Sequence, residues 1–341
     1  MTSKPRVYSS RQWLENAEHV HLLWPYWGAS HWELRYDALY SEFMSNGSEL
    51  FSITEDPSEA DYFMPPCGWQ HKGSQQALRM AELADRYNKP LLLFFHHDSD
   101  EEIPVNDKAW IFRTSMHRSK KRPNEEAWPA WTCDLLHTHG KEALIEHRAT
   151  DRPVVGYCGY VDYRNRFEQL HRMVRGGFSE GAVLRGSAVR ALSASPAVDT
   201  RFILRRCFGG HSDPNEREEY SRNLLDCDYA LVARGMGNFS FRLYEAMSAA
   251  AIPVFIDTDC CLPFENLIPY RELFVWIPAN DLNSIADHVA RFHAAHDADS
   301  LHAHRRRIRT IYDQYLKPLA FHRELASRMA RQLAPDCVTG G

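Results

Sequence analysis

Short apolar runs alternate with segments of helical spacing along most of the chain. Residues 90–100 (PLLLFFHHDSD) open with a run that is apolar on both faces, which is typical of a central strand covered by helices. A segment of helical spacing, residues 72–88, leads directly into this run. The polar, proline-broken stretch 117–131 is predicted as a loop. Further strands are predicted in three short runs of the first half: 20–27, 59–66 and 109–115.

The second half repeats this alternation more regularly, which predicts βαβ units and a parallel sheet. Residues 237–257 (GNFSFRLYEAMSAAAIPVFID) read as a loop, a helix and a strand. From Asp281 onward the spacing is almost entirely helical, and Pro318 is expected to divide that region into two helices. The other predicted elements are strands at 152–161, 200–207, 228–234 and 273–278, and helices at 164–175, 181–195 and 215–227.

We therefore predict an α/β protein with two Rossmann-like parallel-sheet domains. A length of 341 residues suits two domains. Residues 1–150 form the predicted first domain and residues 151–316 the second, and residues 317–341 form a helix that returns toward the first. Two open α/β domains in tandem predict a cleft, because ligands of such sheets bind beyond the carboxyl ends of the strands.

Composition narrows the class of protein without specifying the activity. The formal net charge of -5 gives no sign of nucleic-acid binding. The N-terminus has no apolar run and no stretch has the length of a transmembrane helix, so we expect a soluble cytoplasmic protein. The 8 cysteines include no CxxC pair, which favours reduced cysteines in the core.

The loop that precedes the helix of residues 237–257 has the features of an anion-binding site. A strand ends at Arg234, and Gly235 begins a glycine-rich loop that allows close backbone approach. The helix is expected to begin near Phe239, with Asn238 or Ser240 as its cap. Its first free N–H groups would then point at a ligand, and a phosphate suits such a site.

Two charged side chains of this helix extend the prediction to a nucleotide. Arg242 and Arg234 flank the loop and can form charge-assisted hydrogen bonds with phosphate oxygens. Glu245, three residues after Arg242, can accept hydrogen bonds from a ribose diol. The alternative is an ordinary surface salt bridge, because pairs at this spacing are common on helices.

Residues 218–265 resemble the core motif of the exostosin family of glycosyltransferases. In the first half, residues 59–66 (EADYFMPP) resemble an early motif of the same family. The residues that match the core motif, in chain order, are Arg234-Gly235, Ser240, Arg242, Leu243, Glu245, Ala246, Ile252-Pro253-Val254 and Leu262-Pro263-Phe264.

The resemblance implies a GT-B fold and transfer of a sugar from a nucleotide-sugar donor to a hydroxyl acceptor. It implies inversion at the anomeric carbon without a metal or other cofactor, with UDP as the default nucleotide. The partners are then the nucleotide sugar and a glycan or small-molecule acceptor, not nucleic acid. The sequence lacks the anchor, stem and second catalytic domain of the large animal polymerases, so we expect a compact bacterial-type member.

Two arginines after the first strand of the second domain are further candidates for the donor site. Arg164 and Arg166 open the predicted helix 164–175 just after Gly159. Arginine in a first turn opposes the helix dipole, which favours a local anion such as the leaving diphosphate. The alternative is a solvated helix start.

The catalytic base is expected from a side chain at a strand end. His97 and Asp98 follow the most apolar strand of the first domain, and Asp162 is a further candidate. The alternative for the first two is a packed histidine and a capping aspartate.

Two other functions stay open at this stage. One is a catalytically inactive sugar-binding or scaffold homologue. The other is a metal-dependent GT-A-like transferase that uses Asp98 and Asp100, because D-x-D triplets after buried strands hold divalent metals in that fold. A second triplet, Asp257–Asp259, is interpreted as a loop without metal.

Overall fold

The computed structural model describes residues 4–14, 18–29, 34–71, 73–139, 151–161, 180–205 and 213–333. Within them the chain divides into two compact units. The first contains Met1–Pro129, Cys261–Pro263 and the C-terminal segment from Gln314, and the second contains Ala130–Cys260 and Phe264–Asp313. The division at Pro129 comes before the predicted boundary at residue 150, whereas the return at Gln314 is close to the predicted residue 317.

Each unit is built on parallel strands, which confirms the α/β class. The strands are β1 (Arg6–Tyr8), β2 (Ser52–Thr54), β3 (Tyr62–Phe63), β4 (Leu92–Phe95), β5 (Trp110–Arg113), β6 (Glu125–Ala127), β7 (Val154–Tyr160), β8 (Asp199–Arg205), β9 (Tyr229–Val232), β10 (Ile252–Asp257) and β11 (Val275–Pro278). Two parallel-sheet units of this kind are the components of the predicted GT-B fold.

Helices connect most of these strands. They are α1 (Trp24–Trp27), α2 (Leu34–Asn46), α3 (Gln75–Arg86), α4 (Leu135–Thr138), α5 (Glu180–Ala194), α6 (Pro214–Leu225), α7 (Phe241–Ser248), α8 (Tyr270–Leu273), α9 (Ile285–Ala294), α10 (Ala298–Ile311) and α11 (Pro318–Leu333). A π-helical segment, Tyr312–Leu316, precedes α11, and Pro318 opens that last helix as predicted. No helix in these described ranges is long and apolar enough to cross a membrane.

The first unit has two three-stranded parallel sheets, in the orders β2-β1-β3 and β4-β5-β6. A single bridge between Phe63 and Leu91 joins them, so the strands run in the order β2-β1-β3-β4-β5-β6. Helix α3 begins at the N-cap Ser74, and its buried Met80 packs in one core cluster with Phe95. All four residues of β4 are buried, as its apolar pattern predicts.

The second unit has one five-stranded parallel sheet in the order β11-β10-β9-β7-β8. Helix α6 packs on β7, and α7 packs on β9 and β10. Strands β7 and β9 are neighbours in this sheet, so their carboxyl ends, Tyr160 and Val232, lie at the same edge. Loops at that edge carry the candidate site.

Two predicted elements of the first unit are wrong. Residues 20–27 form a 3-10 turn (His21–Leu23) and helix α1 instead of a strand, because Pro25 stands in the first turn of α1, where its fixed φ favours a helix. The stretch 117–131 contains strand β6 instead of being loop throughout. The strand was not predicted because this stretch is polar. Its polar residue Glu125 is nevertheless buried in β6, because it forms an ion pair with Arg113 at 2.9 Å. The predicted helix 164–175 lies outside the described residues.

Candidate functional site

The loop from β9 to α7 is closed by its own backbone. The N–H of Gly235 donates to the carbonyl of Phe239 at 2.8 Å, and α7 begins at Phe241, two residues later than predicted. A Cβ on Gly235 would meet only that same carbonyl, at 3.7 Å. Steric contacts within the protein therefore do not require a glycine at position 235.

The predicted cap position is confirmed for Ser240 and is wrong for Asn238. Ser240 occupies the N-cap position with an extended backbone, but its side chain makes no cap hydrogen bond. Asn238 instead donates to the Thr258 carbonyl at 3.1 Å and accepts from the Thr258 hydroxyl at 2.6 Å. It ties the loop to the segment after β10. The first turn of α7 thus has no side-chain cap.

Arg242 turns back from α7 onto the carboxyl end of β7. Its guanidinium lies over the Tyr157 ring, 4.2 Å from the centroid, and donates to the Cys158 carbonyl. Its Nε lies 3.4 Å from the Tyr220 hydroxyl. Burial lowers the pKa of Arg242, but Tyr220, Tyr157 and Glu245 raise it by more, so the side chain stays charged. The Nη1 atom is buried without a hydrogen-bond partner in the described part of the chain.

Glu245 lies on the same helix as this arginine and is only 5% exposed. One carboxylate oxygen accepts from the Thr132 hydroxyl at 2.6 Å, and the other accepts from the Tyr220 hydroxyl. Burial, and then the negative charge of Glu245, raise the pKa of Tyr220 well above its usual value. Each oxygen of Glu245 therefore has a protein donor, and the predicted ribose contact would have to use the remaining lone pairs.

Thr132 reaches Glu245 because the chain around Thr132 is anchored to helices of the second unit, to which it belongs. Arg309 of α10 binds the buried Asp134 carboxylate with both Nη atoms, at 2.6 and 2.8 Å. The N–H of Leu135 donates to the Ser248 hydroxyl at 3.1 Å. These contacts fix the chain before α4 against the C-terminal end of α7.

Arg185 of α5 spans the ends of two strands. Its Nε donates to the Tyr160 carbonyl at 3.1 Å, and its Nη1 donates to the Arg234 carbonyl at 2.6 Å. It forms no ion pair with a carboxylate among the described residues. Burial, and to a smaller extent the charge of Arg242, lower its pKa. A cation held by carbonyls alone remains attractive to an anion.

Arg234 completes a group of three guanidinium side chains at this edge. It forms an ion pair with Glu180 at 2.9 Å and donates to the Met236 carbonyl at 3.1 Å. Its Nε is buried without a partner within the described ranges. A Cβ on Gly181 would lie 2.3 Å from the Arg234 carbonyl oxygen, so α5 begins in tight contact with this loop.

We call Arg185, Arg234 and Arg242 the arginine cluster. Two of its members, Arg185 and Arg242, have no carboxylate ion pair among the described residues, and two buried guanidinium nitrogens lack acceptors there. Buried donors without acceptors are uncommon in folded proteins and need an explanation. Oxygens of a diphosphate would supply both acceptors and charge.

The sequence predicted part of this arrangement. The structure brings Arg234, Arg242 and Glu245 together, as the loop–helix pattern indicates. It adds four side chains that the sequence did not single out: Thr132, Tyr157, Arg185 and Tyr220. The predicted Asp162, Arg164 and Arg166 lie outside the described residues.

The remaining predicted residues belong to the first unit. His97 is engaged locally, because its Nδ1 accepts from the Ser99 N–H at 2.9 Å and its ring stacks on His71 at 4.7 Å. Asp98 is exposed. Asp100 pairs with Lys120 at 3.3 Å. Within the described ranges, no group of three or more His, Cys, Asp or Glu side chains is arranged to hold a metal ion.

Comparisons with known proteins find a match to the segment that contains the arginine cluster. Residues 181–292 match the family model of the Exostosin GT47 domain. Exostosin-1 of Drosophila melanogaster is 29% identical over 100 residues, which make up 29% of this chain and 13% of the fly protein. The match thus spans a small part of that relative's length. The matched family segment contains all three members of the arginine cluster.

Two solved structures show weaker likenesses. A crystal structure of an alpha1,3-fucosyltransferase has a TM-score of 0.38 at 11% identity, with 89% of this chain and 82% of that chain covered. CalG4, the calicheamicin glycosyltransferase, has a TM-score of 0.34 at 11% identity, with 98% and 100% covered.

Proposed function

Because residues 181–292 match the family model of the Exostosin GT47 domain, we propose that the protein is a glycosyltransferase that moves a sugar from a nucleotide-diphosphate donor to a hydroxyl acceptor. The observation that carries this proposal is the arginine cluster, with its buried, unpartnered Nε of Arg234 and Nη1 of Arg242. Both nitrogens lie at the carboxyl edge of the sheet, where open α/β sheets bind their ligands.

The arginine cluster is suited to the charge that develops as the glycosidic bond breaks. The nucleoside diphosphate leaves with the bonding electron pair, and preorganised guanidinium donors stabilise that charge in a water-poor site. In this proposal, cationic side chains provide the stabilisation and no metal is needed. A single displacement of this kind inverts the anomeric centre. UDP is the nucleotide proposed, by resemblance to the exostosin family.

Glu245 has an organising role in this proposal. Its carboxylate holds Tyr220, and Tyr220 accepts from Arg242, so the acid sets the position of the guanidinium through one intermediate side chain. Arg185 holds the Arg234 backbone in the same manner. The predicted contact of Glu245 with a ribose remains a proposal, and it would use lone pairs that Thr132 and Tyr220 leave open.

A thermal-shift screen across UDP-, GDP- and dTDP-sugars tests the proposal. A ligand that binds only the native state raises the Tm, so one nucleotide sugar is expected to raise it while the matching nucleoside does not. Arg242→Gln is expected to reduce the shift for that donor. Incubation of the donor with hydroxyl acceptors then tests for turnover. An inactive sugar-binding homologue would show a shift but no turnover, and no shift with any donor would contradict the proposed function.

A further inference from the structure

The two most exposed large apolar side chains of the described residues lie in the loop–helix segment of the second unit. Met236, in the loop after β9, is 68% exposed, and Phe241, the first residue of α7, is 49% exposed. Single exposed apolar residues are common on protein surfaces, so exposure alone indicates nothing. Two of them together, beside a group of cationic side chains at the ligand-binding edge of a sheet, indicate a binding surface.

The ring of Phe241 is oriented by its neighbour in the loop. The rings of Phe239 and Phe241 meet edge to face, with centroids 5.3 Å apart and planes at 75°. The carbonyl of Phe239 accepts from the N–H of Gly235, which closes the loop. Phe241 is therefore oriented but half exposed, and such a ring is suited to stacking on a planar group. We call Met236, Phe239 and Phe241 the apolar patch.

The apolar patch adjoins the arginine cluster through the backbone. The carbonyl of Met236 accepts from Nη2 of Arg234 at 3.1 Å, and Phe241 directly precedes Arg242 in α7. Successive residues of a helix point about 100° apart, so the ring of Phe241 lies beside the cluster and not within it. All of these residues belong to the second unit.

Glu245 lies between these two groups on the surface of α7. It follows Phe241 by four residues and Arg242 by three, so around the helix axis it lies about 40° from the first and about 60° from the second. Side chains of a helix lean toward its N-terminus, which directs Glu245 back toward the first turn. The helix thus presents Phe241, Glu245 and Arg242 in the order in which a nucleotide joins its base, ribose and diphosphate.

We propose that the apolar patch binds the nucleobase of the donor, with the ring of Phe241 stacked on the base and Met236 against it. This inference rests on the proposed function. A base has a planar apolar face, whereas the hydroxyl groups of a hexose need hydrogen bonds, which phenylalanine cannot form and methionine forms only weakly. Methionine also makes favourable sulfur–aromatic contacts. Every base has such a face, so the patch contributes affinity and does not choose among bases.

Calorimetry with two probes, UDP and inorganic pyrophosphate, tests the inference. Both contain the diphosphate, but only UDP contains a base. Phe241→Ala is expected to weaken UDP binding by about 5–100-fold, the usual loss when a base loses its aromatic stacking partner. Its affinity for pyrophosphate should stay within about 2-fold of wild type, because the position is exposed and outside the arginine cluster. Met236→Ala should weaken UDP binding by about 2–10-fold, again without a change for pyrophosphate.

Two variants are matched controls. Phe241→Trp keeps an aromatic face and should bind UDP within about 3-fold of wild type. The fluorescence that this variant gains over wild type should be quenched by UDP and not by pyrophosphate, which reports contact with the base. Leu267→Ala removes an apolar side chain of the second unit that is 42% exposed and outside the patch. It should leave both affinities unchanged.

Three results would decide against the account. Equal UDP affinities for wild type and Phe241→Ala would overturn the inference, including the case in which only the affinity for UDP-glucose falls, because the patch would then hold the sugar. Equal losses for UDP and pyrophosphate would also overturn it, because the side chain would then act on the arginine cluster. Wild-type protein that binds neither UDP nor pyrophosphate would instead contradict the proposed function itself.

Discussion

The guanidinium of Arg242 lies over the ring of Tyr157, with its central carbon 4.2 Å from the ring centroid. An aromatic face stabilises the cation without neutralising it, as a carboxylate would. Arg242 is thereby held in one place and remains available to an anion. This relationship supports the proposed binding of a diphosphate, because such a ligand requires a positioned cation, and Arg242 has no carboxylate ion pair among the described residues.

Replacing Tyr157 should weaken nucleotide binding through Arg242. Tyr157→Leu removes the ring, and a partly buried cation–π contact contributes about 1–2 kcal/mol, so the affinity for UDP should fall by about 5–30-fold in calorimetry. Tyr157→Phe keeps the ring but loses the hydrogen bond to the Tyr160 carbonyl. That control should bind UDP nearly as well as wild type while its free energy of unfolding falls by about 1 kcal/mol. Equal affinities for the Leu and Phe variants would contradict this role of the ring.

Gly159 is expected to tolerate no side chain. Its φ of 154° is strained for other residues, and a Cβ would lie 3.0 Å from Nη2 of Arg242 and 3.2 Å from the Tyr157 hydroxyl. Gly159→Ala should therefore displace Arg242, lower stability by about 1–3 kcal/mol and weaken UDP binding. Gly235→Ala is the control, because its Cβ would meet only an ordinary contact. Its stability in thermal unfolding should match wild type, and comparable losses in the two variants would refute the steric explanation.

Tyr220 should contribute to the loss of stability at alkaline pH. Burial, and then Glu245, raise its pKa well above 10, so the native state keeps a phenol proton that the unfolded chain releases. The stabilisation is complete below about pH 10 and decreases as the pH rises above it. Tyr220→Phe should reduce the slope of unfolding free energy against pH, between about pH 10 and 11, by up to about 1.4 kcal/mol per pH unit.

Thr132→Val is the matched control for that experiment. It removes the other hydrogen bond to Glu245 without removing a titratable group. Stability should fall by about 1–3 kcal/mol at every pH, because a buried carboxylate loses a donor, while the alkaline slope stays as in wild type. Identical slopes for wild type and Tyr220→Phe would show that the phenol proton is not retained by the native state.

The pair between Asp134 and Arg309 should be a main anchor of the segment that carries Thr132. Asp134 is 2% exposed and binds Arg309 with both oxygens. Asp134→Asn keeps a helix-capping side chain but removes the charge, which should lower the free energy of unfolding in urea by about 3 kcal/mol. In the exposed pair Arg152–Asp199, Asp199→Asn should cost less than about 1 kcal/mol. A similar cost in both variants would argue against the anchoring role.

The elements with strong local signals were predictable from the sequence. Strand β4 is buried because it is a continuous apolar run, and α7 lies where glycine and small residues bracket a helical pattern. Arg234, Arg242 and Glu245 are close together because they share one loop–helix segment. The strand predicted at residues 20–27 was wrong because an apolar run fits a buried helix as well as a strand. The length of the run did not decide between the two.

The rest of the site depends on long-range contacts that leave no local pattern. Thr132 reaches Glu245 across 113 positions of sequence, through contacts such as the pair between Asp134 and Arg309. Arg185 sits in an unremarkable helical pattern, and its role follows from the strand ends that it spans. Asn238 was predicted as a possible helix cap from its position in the sequence. In the structure its side chain instead forms two hydrogen bonds with Thr258.

The affinity for UDP, measured by calorimetry in four proteins, tests the central claim most directly. These are the wild type, Arg242→Gln, Arg185→Gln and Arg190→Gln, the last an exposed arginine on the same helix as Arg185. A hydrogen bond to a charged group contributes about 1.5–3 kcal/mol, so the first two substitutions should each weaken UDP binding by about 10–100-fold. Arg190→Gln should leave it unchanged. UDP binding that is equal in all four proteins, or absent from the wild type, would contradict the claim that the arginine cluster holds a nucleotide diphosphate.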